Sequence, residues 1–207
     1  MDISIVIPLL NESESLVELS LKIDSVMKEN SFKYEVIYVD DGSDDDSWKI
    51  ISSICIENNS FKAIKFSKNY GKSQALHAGF EIADGNVVFT MDADLQDDPE
   101  EIPEMYNLII TKNLDILSGW KKKRFDPVLT KNLPSKIFNL SARLTSGIKL
   151  NDFNCGLKGY KNEVVKNINV YGEMHRYIPI LASNEGYNKI EEKVIKHRPR
   201  KYGQTKF

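Results

Sequence analysis

Two aspartates one residue apart, Asp92 and Asp94, stand in the stretch Asn86 to Asp98, NVVFTMDADLQDD. Asn86 to Met91 is apolar and β-branched, bounded by Asp84-Gly85 and Asp98-Pro99, the pattern of a short buried strand. In extended chain, residues i and i+2 face the same side, so both carboxylates are expected to look at one point beyond the strand's carboxyl end. In open α/β sheets that edge is where ligands sit. Two hard oxygen donors there suit Mg²⁺ or Mn²⁺, which bind through one or two carboxylates and keep places for water and phosphate oxygens. Gln96 is spaced to join from the same side. The competing reading is that the acids merely open the next helix. It accounts for Asp98, spaced as an N-cap with Pro99 at the first helical position and Glu101 closing a capping box, but not for Asp92 and Asp94.

The elements that must position this pair follow from hydrophobic periodicity. Ile3 to Ile7, Tyr34 to Val39, Phe61 to Phe66 and Asn86 to Met91 read as strands. Between them, Leu16, Leu19, Ile23, Val26 and Met27 recur at helical spacing, with Asn11 and Ser13 as caps. Ser43 and Asp46 form a capping-box pattern ahead of a helix to about Glu57, and Gly71 to Ala83 and 99–112 are also helical. Strands alternating with helices mean βαβ units with right-handed crossovers and a mostly parallel, doubly wound α/β sheet. To about residue 118 this is a nucleotide-binding half. No G-x-G-x-x-G follows the first strand and no P-loop occurs, which disfavours a dinucleotide or a P-loop nucleotide. Beyond it come a basic run, Lys121-Lys122-Lys123-Arg124, and a helix over 129–150 with Leu133, Ile137, Leu140 and Leu144 on one stripe. Lys131, Lys136 and Arg143 on its other faces suit either an interfacial membrane helix or an ordinary helix covering a sheet. Cys155 to Tyr160 is expected as a strand, Glu173 to Asn184 as a helix and Lys189 to His197 as the last strand.

The 207 residues, 41% apolar and 28% charged, fit one globular domain able to bury a substantial core. A net charge of −2 gives no general attraction to nucleic acid, although acids crowd 40–46 and 92–104 and bases crowd 121–124 and 193–206. Cys55 and Cys155 lack metal-ligand spacing and form no disulfide framework, which fits a reducing cytosol. Met1-Asp2 leads into a strand-like run without a basic n-region, and no apolar stretch approaches the roughly 18 residues of a membrane span.

Eight ordered blocks carry a resemblance: IVIPLLNESESL at 5–16, YVDDGSDDDS at 38–47, FSKNYGKSQALHAGF at 66–80, FTMDADLQDDPEEI at 89–102, SGWKKKRFDP at 118–127, NDFNCGLKGY at 151–160, GEMHRYIPILA at 172–182 and HRPRKYGQTKF at 197–207. The chain resembles the family-two glycosyltransferases of the GT-A fold, in the branch that glycosylates polyprenyl (dolichyl or undecaprenyl) phosphate. The resemblance implies one GT-A domain over 1–207, with a nucleotide-sugar-binding half, 1–118, and an acceptor-side half, 119–207, ending in a basic tail. It implies that Pro8, Leu10 and Glu12 form the first nucleotide-binding loop and that Val39 and Asp41 hold the base and ribose. Asp92, Ala93 and Asp94 match the family's DxD, with Gln96 a further ligand to Mg²⁺ or Mn²⁺. Lys121 stands where the family usually has an arginine, losing a planar fork for phosphate. Arg200 and Lys206 match the tail motif H-x-x-R-x-x-G-x-S-K, with Thr205 in place of serine, and would set two cations on the donor diphosphate or acceptor phosphate. His197 and Gly203 would shape that loop. His175 and Arg176 lie in the E-x-H-R block, where burial and substrate contact are both open. Members of the branch often carry transmembrane helices after the tail motif, and this sequence ends at Phe207.

The expected function is metal-dependent, inverting transfer of a sugar from a UDP- or GDP-linked donor to a polyprenyl phosphate, in the cytoplasm at the inner membrane face. Docking would use residues 121–149. A lipid phosphate is already ionised and needs no base. Transfer to a saccharide hydroxyl does need one, and Asp152 is then the candidate. A haloacid-dehalogenase-type phosphatase would place D-x-D on its first strand, and a pyrophosphorylase would carry a glycine-rich loop there; neither holds. A non-catalytic sugar-nucleotide-binding or membrane-docking module is the alternative outside enzymes.

Overall fold

The computed structural model describes residues 1–122 and 133–202, with the side chains of 133–138 and 140 outside the description. Lys206, Gly203 and Thr205 of the tail, and Lys123 and Arg124 of the basic run, lie outside the described residues.

Seven strands form one sheet: β1 (Ile3–Leu9), β2 (Tyr34–Asp40), β3 (Phe61–Lys65), β4 (Val87–Thr90), β5 (Ile116–Trp120), β6 (Lys158–Lys161) and β7 (Ile190–Val194). Their order is β3-β2-β1-β4-β6-β5-β7. All pairings are parallel except those of β6, which runs antiparallel to β4 and β5. The helices are α1 (Leu16–Glu29), α2 (Ser47–Glu57), α3 (Lys72–Ile82), α4 (Ile102–Lys112), α5 (Leu133–Ser146), α6 (Asn162–Asn167) and α7 (Ile178–Asn184). The first strand is buried along its whole length and apolar except at Ser4, because both its faces are covered. Ile3, Ile5, Ile7 and Leu9 pack with residues of α1, α2 and α4, while Val6 joins those of α3, α6 and α7. Leu76, Phe80 and Ala83 are buried as the periodicity of α3 requires.

β6 sets the site. Its register places Thr90 opposite Lys158, and the Thr90 hydroxyl donates to the Gly156 carbonyl at 2.7 Å. The loop 151–157 is thereby laid against the segment that leaves β4. Gly159 makes this insertion fit: a Cβ there would overlap Phe89 and Ile109.

Several local expectations are corrected by side chains that found longer-range partners. Asp98 does accept from Glu100 N–H (3.3 Å), but Glu101 closes no box, because its carboxylate pairs with Lys193 and accepts from Lys196 N–H. Residues 99–101 form a 3₁₀ turn before α4. The Ser43 hydroxyl accepts from Asn11 N–H, and the Asn11 amide oxygen accepts from Asp44 N–H, so neither residue caps a helix. Residues 174–177 are a 3₁₀ turn preceding α7, not its first turn. On α5 the buried positions described are Asn139 and Ala142, whereas Leu144 of the expected stripe is 77% exposed.

Candidate active site

β4 stops at Thr90, so Asp92 and Asp94 do not share a side by strand alternation. A turn at 93–94 and a left-handed Leu95 (φ 62°) bring them together instead, with Ala93 buried beneath. Gln96 is carried round with that turn. Its N–H donates to Asp94 Oδ1 at 3.1 Å and its side-chain amide donates to the Arg198 carbonyl. Gln96, expected as a metal ligand, here links the acidic loop to the tail.

Each carboxylate meets a cation from a distant part of the chain. Lys72 Nζ, from the first residue of α3, lies 2.5 Å from Asp92 Oδ1. Asp92 also lies against Gly156, where a Cβ would overlap the carboxylate. Arg200 Nη2 lies 2.7 Å from Asp94 Oδ2, and its Nη1 lies 3.3 Å from Glu12 Oε1. One guanidinium therefore ties the tail to both the DxD turn and the loop after β1. Burial alone would raise the Asp92 carboxyl, but Lys72, with Lys121 and Lys158, outweighs it and holds the group well below the usual carboxylate range. Asp94 goes the other way. Burial, then Asp92 and Asp97, push it up to about 6, more than Gln96 N–H and Arg200 recover.

Lys121 lies beside the same loop with its side chain only 10% exposed, 2.8 Å from Asp97 Oδ1, and Asp97 raises its ammonium against the effect of burial. Its N–H faces Asp152 Oδ2 at 3.4 Å. Asp152 is 1% exposed, and its Oδ1 accepts from Asn154 N–H, the geometry of a loop cap. Lys158 is buried at the start of β6 with its Nζ donating to the Cys155 carbonyl.

The residues expected on the nucleotide side sit at the carboxyl ends of β1 and β2. Pro8 and Val39 are paired neighbours in the sheet. Leu10 and Glu12 lie in a loop cross-braced to the next one: Asn11 N–H to Ser43 Oγ, Glu12 N–H to Ser47 Oγ and Ser13 N–H to Asp45 Oδ2. Asp41 is fully buried and accepts from Tyr70 N–H (2.7 Å) and Gly71 N–H (2.9 Å). Both its oxygens thus organise the entry to α3. Burial raises its carboxyl, with Asp40 adding, although the two N–H groups oppose the shift. Asp40, also fully buried, keeps Oδ1 on Ser43 N–H while its Oδ2 has no hydrogen-bond partner among the described residues. A cavity lined by Gly42, Ser43, Lys65, Phe66 and Ser67 opens at the carboxyl ends of β2 and β3.

Lys72, Ser73 and Lys158 escape the sequence reading. The Ser73 hydroxyl accepts from His175 N–H (3.0 Å) and contacts His175 Nδ1 (3.2 Å), docking the 174–177 turn on α3. Burial, with Lys72, Arg176 and Lys158, pushes the His175 imidazole down to about 4, so it is neutral at pH 7. Arg176 beside it is exposed. The available signal was positional: Lys72 opens the helix after β3, at the sheet edge where Asp92 also emerges.

Among the described residues no three acids, histidines or cysteines converge as a closed metal cage. What the site offers is two hard carboxylates, one of them destabilised by like charge that a divalent cation would relieve. That donor set fits Mg²⁺ or Mn²⁺ with the remaining positions left to water or phosphate oxygens.

A family model described as glycosyl transferase family 2 matches residues 4–168. The dodecaprenyl-phosphate galacturonate synthase of Rhizobium johnstonii is 33% identical over 212 residues, covering 100% of this chain and 62% of the relative. The undecaprenyl-phosphate 4-deoxy-4-formamido-L-arabinose transferase of Pseudomonas syringae is 36% identical over 206 residues, covering 99% and 60%. The chain thus spans less than two thirds of the length of these curated relatives. Among solved structures, glucosyl-3-phosphoglycerate synthase from Mycobacterium tuberculosis in complex with Mn²⁺ and UDP-glucose superposes with a TM-score of 0.70 at 19% identity, over 97% of this chain and 72% of that one. The architecture is the GT-A fold.

Proposed function

The chain belongs to glycosyl transferase family 2, and we propose that it performs metal-dependent, inverting transfer of a sugar from a nucleotide-diphosphate donor to a polyprenyl phosphate at the cytoplasmic face of a membrane. Two relatives sharing a third of its sequence over its whole length carry a polyprenyl phosphate in their names, which supports that acceptor. The observation that carries the reading is the Arg200 fork on Asp94 and Glu12, a tail cation closing over the acidic turn and the first loop together.

Asp92 and Asp94 would hold a divalent ion, which would supply Lewis-acid neutralisation of charge on the departing diphosphate. Arg200 brings a second, planar donor that matches phosphate oxygens in pairs. Lys121, locked on Asp97, adds fixed positive charge near Asp92 rather than a mobile ligand. Lys206 would add another cation, and it lies outside the described residues. Glu12 and the cross-braced loops hold the nucleotide side, with Asp41 fixing the turn into α3.

An acceptor phosphate arrives ionised at neutral pH, since its second proton leaves at about pH 6. Its oxygen attacks without a base, and in-line displacement inverts the anomeric carbon. The environment of Asp152 supports this over a hydroxyl acceptor. That carboxylate is buried and already engaged with Asn154 N–H and Lys121 N–H, whereas a base must reach the proton it removes.

The test is transfer of labelled sugar from UDP- and GDP-sugars into the organic phase with undecaprenyl phosphate, with Mn²⁺, Mg²⁺ or chelator. Label in the lipid fraction only with metal supports the reading. Label on free saccharides without lipid, lost in Asp152→Asn, refutes it in favour of the hydroxyl acceptor.

A further inference from the structure

The mechanism above leaves Lys72 without a task, yet it makes the closest contact to the carboxylate pair. Lys72 is the first residue of α3, just after Gly71, whose φ of 96° turns the chain into the helix. Three consecutive residues there reach three different parts of the site. Gly71 N–H is held by Asp41, Lys72 pairs with Asp92, and Ser73 holds His175. The Lys72 side chain is 16% exposed, so its ammonium is mostly withdrawn from water and is matched by Asp92 Oδ1 at 2.5 Å. Asp92 also lies against Gly156, so closely that an added Cβ there would overlap its carboxylate. Lys158 and Lys121 stand behind at longer range.

We propose that Lys72 is a positioning residue that holds Asp92 in one orientation and competes with a divalent cation for it, so that metal alone binds weakly. The proposal rests on the donor reading above for its role in turnover but not for its effect on bare metal. A fixed ammonium on Oδ1 occupies the lone pairs an incoming cation would use, and its charge repels that cation at short range. The same contact fixes where the Asp92 carboxylate points when a nucleotide sugar arrives, the kind of placement on which transfer rates depend steeply. Arg200 places a comparable charge on Asp94, but from the tail, whereas Lys72 is anchored in the sheet-packed part of the fold.

The test is Mn²⁺ binding to the full chain without nucleotide, read by the loss of the free-Mn²⁺ paramagnetic resonance signal, in wild type, Lys72→Met and Lys72→Arg. Lys72→Met is expected to bind bare Mn²⁺ about three- to tenfold more tightly, and Lys72→Arg to stay within about twofold of wild type. In the transfer reaction Lys72→Met is expected to lose at least about tenfold in kcat, with most of it restored by Lys72→Arg. A residue that merely packs the start of α3 would lower the melting temperature without tightening Mn²⁺. Should the methionine variant not fold, Lys72→Gln is read in the same way. Bare-Mn²⁺ affinity in the neutral variant equal to or weaker than wild type overturns the proposal. If that affinity tightens but wild type binds no nucleotide diphosphate even with Mn²⁺, Lys72 keeps its role and the donor reading is what fails.

Discussion

Replacing Gly156 with alanine probes the carboxylate pair without touching any charged group. Gly156 has no left-handed φ, so alanine is allowed by the backbone and its effect is steric. The added methyl would lie 2.6 Å from Asp92 Cγ and 2.9 Å from Oδ1, with Oδ2 nearer still. Ordinary contact needs about a further ångström, and with the Gly156 carbonyl held by Thr90 the Asp92 side chain must yield against its contact with Lys72. Driving the carboxylate off its rotamer costs about 0.5–1.5 kcal/mol, and weakening its charge-assisted bond to Lys72 costs about as much again. The fold is expected to survive with a melting temperature several degrees lower, since a chain of this size loses roughly 2–4 °C per kcal/mol. Transfer is expected to suffer far more. A displacement of about 1 Å in a catalytic group is worth roughly a hundredfold in rate, or about 2.7 kcal/mol of barrier. Lipid-linked transfer and the melting curve, measured side by side, decide it. Turnover within threefold of wild type would refute the placement of Asp92 against this loop.

Other outcomes follow from the same contacts. Arg200→Lys keeps the charge but cannot span Asp94 and Glu12, so kcat/KM for the donor is expected to fall about 10- to 100-fold in steady-state kinetics. Asp98 is fully buried and bonded to Lys22 (2.6 Å) and Arg198 (2.5 Å), and Asp98→Asn is expected to cost about 1–3 kcal/mol in denaturant titration. Two groups are each expected to contribute less to stability on acidification. Burial, with neighbouring cations, lowers the His175 imidazole, so the unfolded chain binds the extra proton as pH drops below about 6.5. Lys22, Glu100 N–H and Arg198 outweigh burial at Asp98 and lower its carboxyl, so its stabilisation is intact above the ordinary carboxylate range and is lost as pH falls through it. Asp94, pushed up to about 6, opposes the first of these, because the folded chain takes up its proton before the unfolded chain does. Each contribution is therefore read as the stability of wild type minus that of His175→Gln between pH 7 and 4, or minus that of Asp98→Asn below pH 4, and a difference that grows on acidification would contradict the sign.

The parallel half of the fold was legible because its information is local. The apolar run Ile3–Ile7, broken only by Ser4, announces a strand covered on both faces, and the helical spacing through Met27 announces its crossover. β6 was harder. Cys155 to Tyr160 looks like a strand, but nothing in it says that it inserts antiparallel between β4 and β5, and that insertion is what carries Gly156 to Asp92. The expected capping boxes at Ser43–Asp46 and Asp98–Glu101 failed for one reason. Each polar side chain had a longer-range partner, Asn11 for Ser43 and Lys193 for Glu101, and a local pattern contains no trace of it. Asp92 and Asp94 were identified by residue type, although a turn rather than strand alternation unites them. Lys72 and Ser73 could not be singled out from spacing, since their partners lie 20 and 102 residues away.

The most direct test is sugar transfer to undecaprenyl phosphate by Asp92→Ala/Asp94→Ala, assayed with saturating Mn²⁺ beside wild type of matched melting behaviour. The two-carboxylate site requires that transfer in the double variant drop by at least about a thousandfold. A double variant that still loads the lipid at a wild-type rate would contradict it.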